Sequence, residues 1–124
     1  MPAGENKQAA KDGYQAFGRG DAEGAMENIS DSIEWVVAGD NALSGTYRGK
    51  EEVGKFWAQI AEKGFQTKPV EFLADGDKVV VLTENSAAGE ESRTVDVLTY
   101  DSDGQLVRFE TFGAEQMFDR VFPK

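Results

Sequence analysis

From Tyr14 to Trp57 the chain sets out its elements in an order that few folds can accept. A helix carrying Phe17 ends at Gly20-Asp21, and a second carries Ala22, Ala25, Met26 and Ile29. Asp31-Ser32-Ile33-Glu34-Trp35 follows, then Ser44-Gly45-Thr46-Tyr47-Arg48-Gly49-Lys50, then an amphipathic helix with Val53, Phe56 and Trp57. Ala10, Tyr14 and Phe17 recur at helical spacing from about residue 6 to 18, and Gly18 with Gly20 stops that run. Asp21 caps the short second helix, with Glu23 in its first turn. From Lys50 to Lys63, Val53, Phe56, Trp57, Ile60 and Ala61 form one stripe, Glu51 and Glu52 suit the positive helix end, and Gly64 ends it.

The remainder reads as sheet. Residues 32–38 make a first strand, and 68–74, 78–86, 92–100 and 105–112 make four more. Asp75-Gly76-Asp77 and Asp101-Ser102-Asp103-Gly104 supply hairpin turns. Met117, Phe118, Val121 and Phe122 predict a terminal helical turn that packs back on the fold.

This order of elements resembles the nuclear transport factor two-like superfamily, in particular its SnoaL-like and ketosteroid-isomerase-like branch. The resemblance implies an α+β fold: a cone-shaped, curved, mostly antiparallel sheet packed on three N-terminal helices, a cystatin-like α+β barrel enclosing an apolar pocket. One fold hosts many functions, so the resemblance locates a site better than it names a reaction.

At 124 residues the chain is expected to form a single SnoaL-like domain over 1–124. Roughly 60 to 70% of its unfolded surface can be buried, enough for one core and one ligand-sized cavity. No apolar run approaches the ~20 residues that span a bilayer, and no leader pattern opens the chain, so a cytoplasmic location is the expectation. With no Cys there is no disulfide, thiolate or thiol redox chemistry. With no His, a base acting near neutral pH has to be a carboxylate, Tyr or Lys of shifted pKa, and a transition metal lacks its commonest ligand. Neither a metal nor a cofactor is called for. A net charge of −10 opposes binding to nucleic acid or to anionic membranes.

In the strand from Thr94 to Tyr100, Asp96, Leu98 and Tyr100 share one face and Val95, Val97 and Thr99 the other. Both faces are mostly apolar. Helices cover one, and a second copy of the chain is the simplest cover for the other, as family members commonly pair through this outer face; a homodimer is expected.

Asp96 interrupts an apolar strand, and a buried carboxylate is costly unless paired or hydrogen-bonded. It either meets a structural partner such as Arg93, a Tyr or a backbone N–H, or it faces a cavity with a raised pKa and does acid or base work. The resemblance implies the second role, because Asp96 falls where ketosteroid isomerases carry a protonated Asp that donates to an oxyanion. The rest of that set does not carry over. Gly13 falls at the catalytic tyrosine, Val36 at the general-base aspartate, and Trp57 replaces a supporting tyrosine. Tyr14 is one residue, about 100° of helix rotation, from the required slot and is not expected to substitute. The Asp-Arg-Asp arrangement of related epoxide hydrolases is met by Asn85, Ala87 and Thr111 and is equally absent.

Glu110 depends on hairpin register. A four-residue loop sets Tyr100 against Gln105 and Asp96 against Phe109, with Val107 and Phe109 inward; a three-residue loop sets Asp96 against Glu110 and pairs two carboxylates. The first register is preferred, leaving Glu110 an outer-surface charge near Arg93 or Arg108. Phe17, Trp35, Phe56, Trp57, Leu98 and Phe109 are predicted to border the pocket between the first and third helices and the sheet. Phe65 and Phe72 are further aromatic candidates, and Asp40 and Asn41 are placed near its mouth. The Asp pairs at 75, 77 and 101, 103 lack the spacing of a calcium loop, and Gly18, Gly20 and Gly24 follow no strand, so no phosphate loop is read.

Three function classes fit. One is a cofactor-independent isomerase, cyclase or hydratase acting on a carbonyl-containing apolar substrate with Asp96 as acid, base or oxyanion group. Another is a non-catalytic protein that binds a small apolar molecule, and the third is a dimeric interaction module. A sealed pocket with Asp96 bonded to Arg favours the third, an open one with Asp96 at its floor the first two.

Overall fold

The computed structural model describes residues 2–124, with side chains from residue 4 onward. Three helices come early: α1 (Pro2–Gly18), α2 (Ala22–Met26) and α3 (Gly49–Glu62). Between and after them run β1 (Ile29–Val37), β2 (Gly45–Arg48), β3 (Gln66–Asp75), β4 (Lys78–Ala87), β5 (Glu90–Tyr100) and β6 (Leu106–Phe112). The chain closes with α4 (Glu115–Val121). No helix among the described residues is long and apolar enough to cross a membrane.

Local chemistry accounts for the helices. The Asp21 carboxylate accepts from the Gly24 N–H at 2.9 Å, satisfying one of the free donors at the start of α2. In α3 the predicted stripe is buried at Val53, Phe56, Trp57 and Ile60, while Ala61 lies outside it, exposed. Gly64 follows with a φ of 69°, a left-handed stop that a side chain would strain.

All six strands form one sheet in the order β2-β1-β6-β5-β4-β3, so the last strand inserts beside the first. Every pairing is antiparallel except β1 with β6, which is parallel and sets Trp35 against Phe109. The architecture is the α+β cone that the resemblance implied, with the helices against the concave face. The strand β2 had not been assigned from sequence. It holds only four residues and none of them is buried, so it carries no apolar alternation to read.

The β5–β6 hairpin follows the three-residue register at its turn, with Gly104 at φ 79°, and departs from both predicted registers at Asp96. Its ladder sets Asp96 opposite Thr111, Leu98 opposite Phe109 and Tyr100 opposite Leu106, with a bulge between Thr99 and Tyr100. Asp101 holds the turn: its carboxylate accepts from the Asp103 and Gln105 N–H groups, each at 2.9 Å, and its own N–H donates to the Gln105 carbonyl at 2.9 Å. The bulge leaves Val107 as the extra residue between the Thr99–Arg108 and Tyr100–Leu106 pairs, and Leu106 rather than Val107 is fully inward. Phe109 is buried as predicted, and Glu110 stands on the outer face opposite Val97, bonded to Arg108 at 2.9 Å.

Candidate functional site

The apolar side chains of α1, α3 and the concave sheet enclose a cavity of about 270 Å³. Phe17, Trp35, Phe56, Trp57, Leu98 and Phe109 all line it, as does Asp96. Parallel pairing of β1 and β6 stacks Trp35 on Phe109, ring centroids 3.7 Å apart and planes 9° from parallel. Trp57 meets Trp35 edge-on at 5.6 Å, and Phe17 meets Trp57 edge-on at 5.2 Å. Each edge-to-face or stacked contact adds about 0.5–1.5 kcal/mol beyond burial, so this wall is firm and presents ring faces to an occupant. Phe65 also lines the cavity. Phe72 does not; it packs behind Tyr14, ring centroids 5.7 Å apart. Asn41, expected near the mouth, is instead buried in the loop before β2, where its amide donates to Asp119 at 3.1 Å and its carbonyl accepts from the Leu43 N–H at 2.9 Å. It ties that loop to α4, and Asp40 lies beside it, ion-paired with Lys124.

The buried polar groups of the cavity wall centre on Asp96. Asp96, 4% exposed, accepts from three hydroxyls: Tyr14 on one carboxylate oxygen, Thr111 at 2.5 Å and Thr94 at 3.4 Å on the other. Behind Thr94, the Asn85 amide donates to the Thr94 hydroxyl at 2.8 Å and to the Thr83 hydroxyl at 3.2 Å, and the two threonines bond to each other. Every donor in this chain points toward Asp96. Among the described residues neither Arg93 nor any other cation is a partner of Asp96, and of the structural partners considered the one it meets is a tyrosine, Tyr14. Arg93 lies on the outer face, 3.8 Å from Glu84.

Burial raises the Asp96 pKa above its ordinary value of 3.8, and the bonds from Thr111, Tyr14 and Thr94 offset that rise only in part. Tyr14 is held well above its ordinary 10.0, first by desolvation and then by the charge of Asp96 and its bond to it, so it stays a phenol and donates. A carboxylate offers about four acceptor sites. Three hydroxyls donate to Asp96, and the residue lines the cavity.

Tyr14 is not expected to take the isomerase's catalytic-tyrosine role, and its phenol bonds to Asp96. Both Gly13 and Tyr14 line the cavity, and the phenol is long enough to reach β5 from its own position. A Cβ at Gly13 would meet nothing within 4 Å, so the cavity keeps free room there. Thr94, Thr83 and Tyr100 were missed, although period-two alternation along β4 and β5 sets them on the face of Val81 and Asp96. Asn85 and Thr111 had entered only as residues that break an enzyme pattern. No group of three acidic, His or Cys side chains that could hold a metal occurs among the described residues.

Comparison with known proteins agrees with this architecture. Bal32a, from a soil-derived mobile gene cassette, superposes with a TM-score of 0.89 at 19% identity over 100% of both chains. A protein of unknown function with a cystatin-like fold from Xanthomonas campestris gives 0.84 at 27% identity, covering 94% of this chain and 96% of that one. TerC, co-crystallised with polyporic acid, gives 0.78 at 25% identity over 94% and 97%. No curated protein matches. The family model for the SnoaL-like domain matches residues 10–109, and the chain belongs to that family.

Proposed function

We propose that this protein binds a small apolar, carbonyl-containing molecule in its aromatic cavity and that Asp96 moves a proton at the carbon next to the carbonyl. The observation that carries this reading is the buried Asp96 carboxylate, which takes three hydroxyl donors, meets no cation among the described residues and lines the cavity. Desolvation makes it a stronger base than a surface aspartate, and its neutral partners do not quench that basicity as a cation does. The reaction class is isomerisation, cyclisation or hydration through an enol, without a cofactor. The co-crystallisation of TerC with polyporic acid supports an occupant for a cavity of this kind.

The test is hydrogen exchange at carbon. 2-Tetralone in D2O, followed by proton NMR, is expected to exchange its C1 protons faster with the protein than in buffer alone. Asp96→Asn should remove the acceleration. Equal rates for both proteins would end the base assignment.

A second reading concerns assembly: we infer a homodimer through the outer face of the sheet. Val95 and Phe112 sit opposite each other there, 37% and 49% exposed, beside Val97. They are flanked by Glu84 with Arg93 and by Arg108 between Glu34 at 3.0 Å and Glu110 at 2.9 Å. An apolar strip bordered on both sides by clusters of mixed sign is complementary to its own two-fold copy, which sets acid against base at each rim.

A further inference from the structure

Tyr14 gives its proton to Asp96, so that phenol is already committed when an occupant arrives. Tyr100 is not. It shares the inward face of β5 with Asp96 and Leu98, is 4% exposed and lines the cavity. Among the described residues its hydroxyl makes no hydrogen bond, and none of the fully enclosed polar side-chain atoms there lacks a partner. The hydroxyl therefore borders open space, and the space that Tyr100 lines is the cavity. Tyr14 and Asp96 line the same cavity. Burial holds Tyr100 itself above its ordinary value, so it is a donor throughout the neutral range. The polar groups around Asp96 itself are spent: Thr94 and Thr111 on Asp96, the Asn85 amide on Thr83 and Thr94.

We propose that Tyr100 is the residue that receives the ligand's carbonyl oxygen, donating its O–H to that oxygen while Asp96 faces the adjacent C–H. The assignment rests on the ketone reading above. When Asp96 takes the proton, the C–H electron pair becomes the new C=C bond and the carbonyl π pair moves onto oxygen. The bond from Tyr100 strengthens as that charge develops, which makes Tyr100 a catalytic residue rather than only an anchor. Return of the proton from Asp96 to carbon closes the cycle with no other reactant.

The test compares 2-tetralone with tetralin, its hydrocarbon counterpart, by calorimetric titration of the intact protein. The wild type is expected to prefer the ketone roughly three- to tenfold, the size of one net hydrogen bond. Tyr100→Phe should lose that preference while keeping its tetralin affinity, which reports an intact cavity, and should slow C1 exchange more than binding. Tyr14→Phe should keep the preference. A wild type indifferent to the oxygen, or a Tyr100→Phe protein that still prefers the ketone, overturns the assignment. Exchange that persists in Asp96→Asn instead overturns the base reading, and the ketone preference is read independently of it.

Discussion

Tyr14 and Asp96, 82 positions apart in the chain, meet in a hydrogen bond across the cavity wall, the phenol donating and the carboxylate accepting. That bond joins α1 to the centre of the sheet. Because it lowers the Asp96 pKa against the larger effect of burial, Tyr14→Phe is expected to raise that pKa further. The ring keeps its edge contact with Phe72, so stability should fall by only about 1–3 kcal/mol for the lost buried bond. Carbon-detected NMR titration of the Asp96 carboxyl reads the shift, and an unchanged or lowered midpoint contradicts it.

A raised carboxyl pKa links to stability with a definite sign. Between the ordinary value of 3.8 and the folded value, the folded protein holds a proton that the unfolded chain has released. Acidification through that window therefore stabilises the fold, and stability is lost as pH rises across it. Subtracting the unfolding free energy of Asp96→Asn at each pH isolates this contribution from the other carboxylates. The difference should favour the wild type increasingly as pH falls toward 4; a flat difference removes the shifted pKa.

At fixed neutral pH the same substitution should be mild. Breaking a buried ion pair costs about 3–5 kcal/mol because a charge is left alone, whereas the partners of Asp96 are hydroxyls that can reorient. A melting shift worth less than about 1.5 kcal/mol, or a gain, is expected, since site carboxylates are often kept at some cost in stability. A loss of 3 kcal/mol or more contradicts it.

Phe109→Leu keeps the apolar character and breaks the stack on Trp35. It should cost about 1–2 kcal/mol in chemical denaturation and weaken 2-tetralone binding. Near-ultraviolet circular dichroism should lose intensity at the same time. Retained affinity with a lost stack would put the occupant elsewhere in the cavity.

Ala88 lies outside the site and makes an independent check on the backbone. It sits at φ 50° ahead of Gly89 at φ 84° in the two-residue turn between β4 and β5. Asn tolerates that conformation better than Ala, so Ala88→Asn should stabilise by about 0.5–1 kcal/mol in thermal unfolding. A destabilised Ala88→Asn would contradict the turn geometry.

Much of this fold was legible because its signals are local and periodic. Val53, Phe56, Trp57 and Ile60 repeat at helical spacing and are buried together in α3, and the alternation around Asp96 sets the inner face of β5. What was not legible depends on positions far apart in the chain. No periodicity in α1 states that Tyr14 reaches Asp96, and the β6 register at Asp96 turns on a one-residue bulge at Val107 that no local pattern marks. Thr94 and Thr111 carry no distinctive pattern, because threonine is an ordinary strand residue until a carboxylate lies beside it.

The parallel pairing of β1 with β6 also dictates when the cavity can exist. Trp35 leaves the ribosome long before Phe109, and until Phe109 is made Trp35 has no stacking partner and β1 no neighbour on that edge. During synthesis the helices and β1 therefore hold an unfinished apolar trough, the state in which chaperones and mispaired edges compete for a chain. The binding chamber is assembled in one late event, as β6 slots between two strands already made. A chain truncated before Leu106 should accordingly have no partial chamber and no weakened ligand binding, only an open edge prone to aggregation.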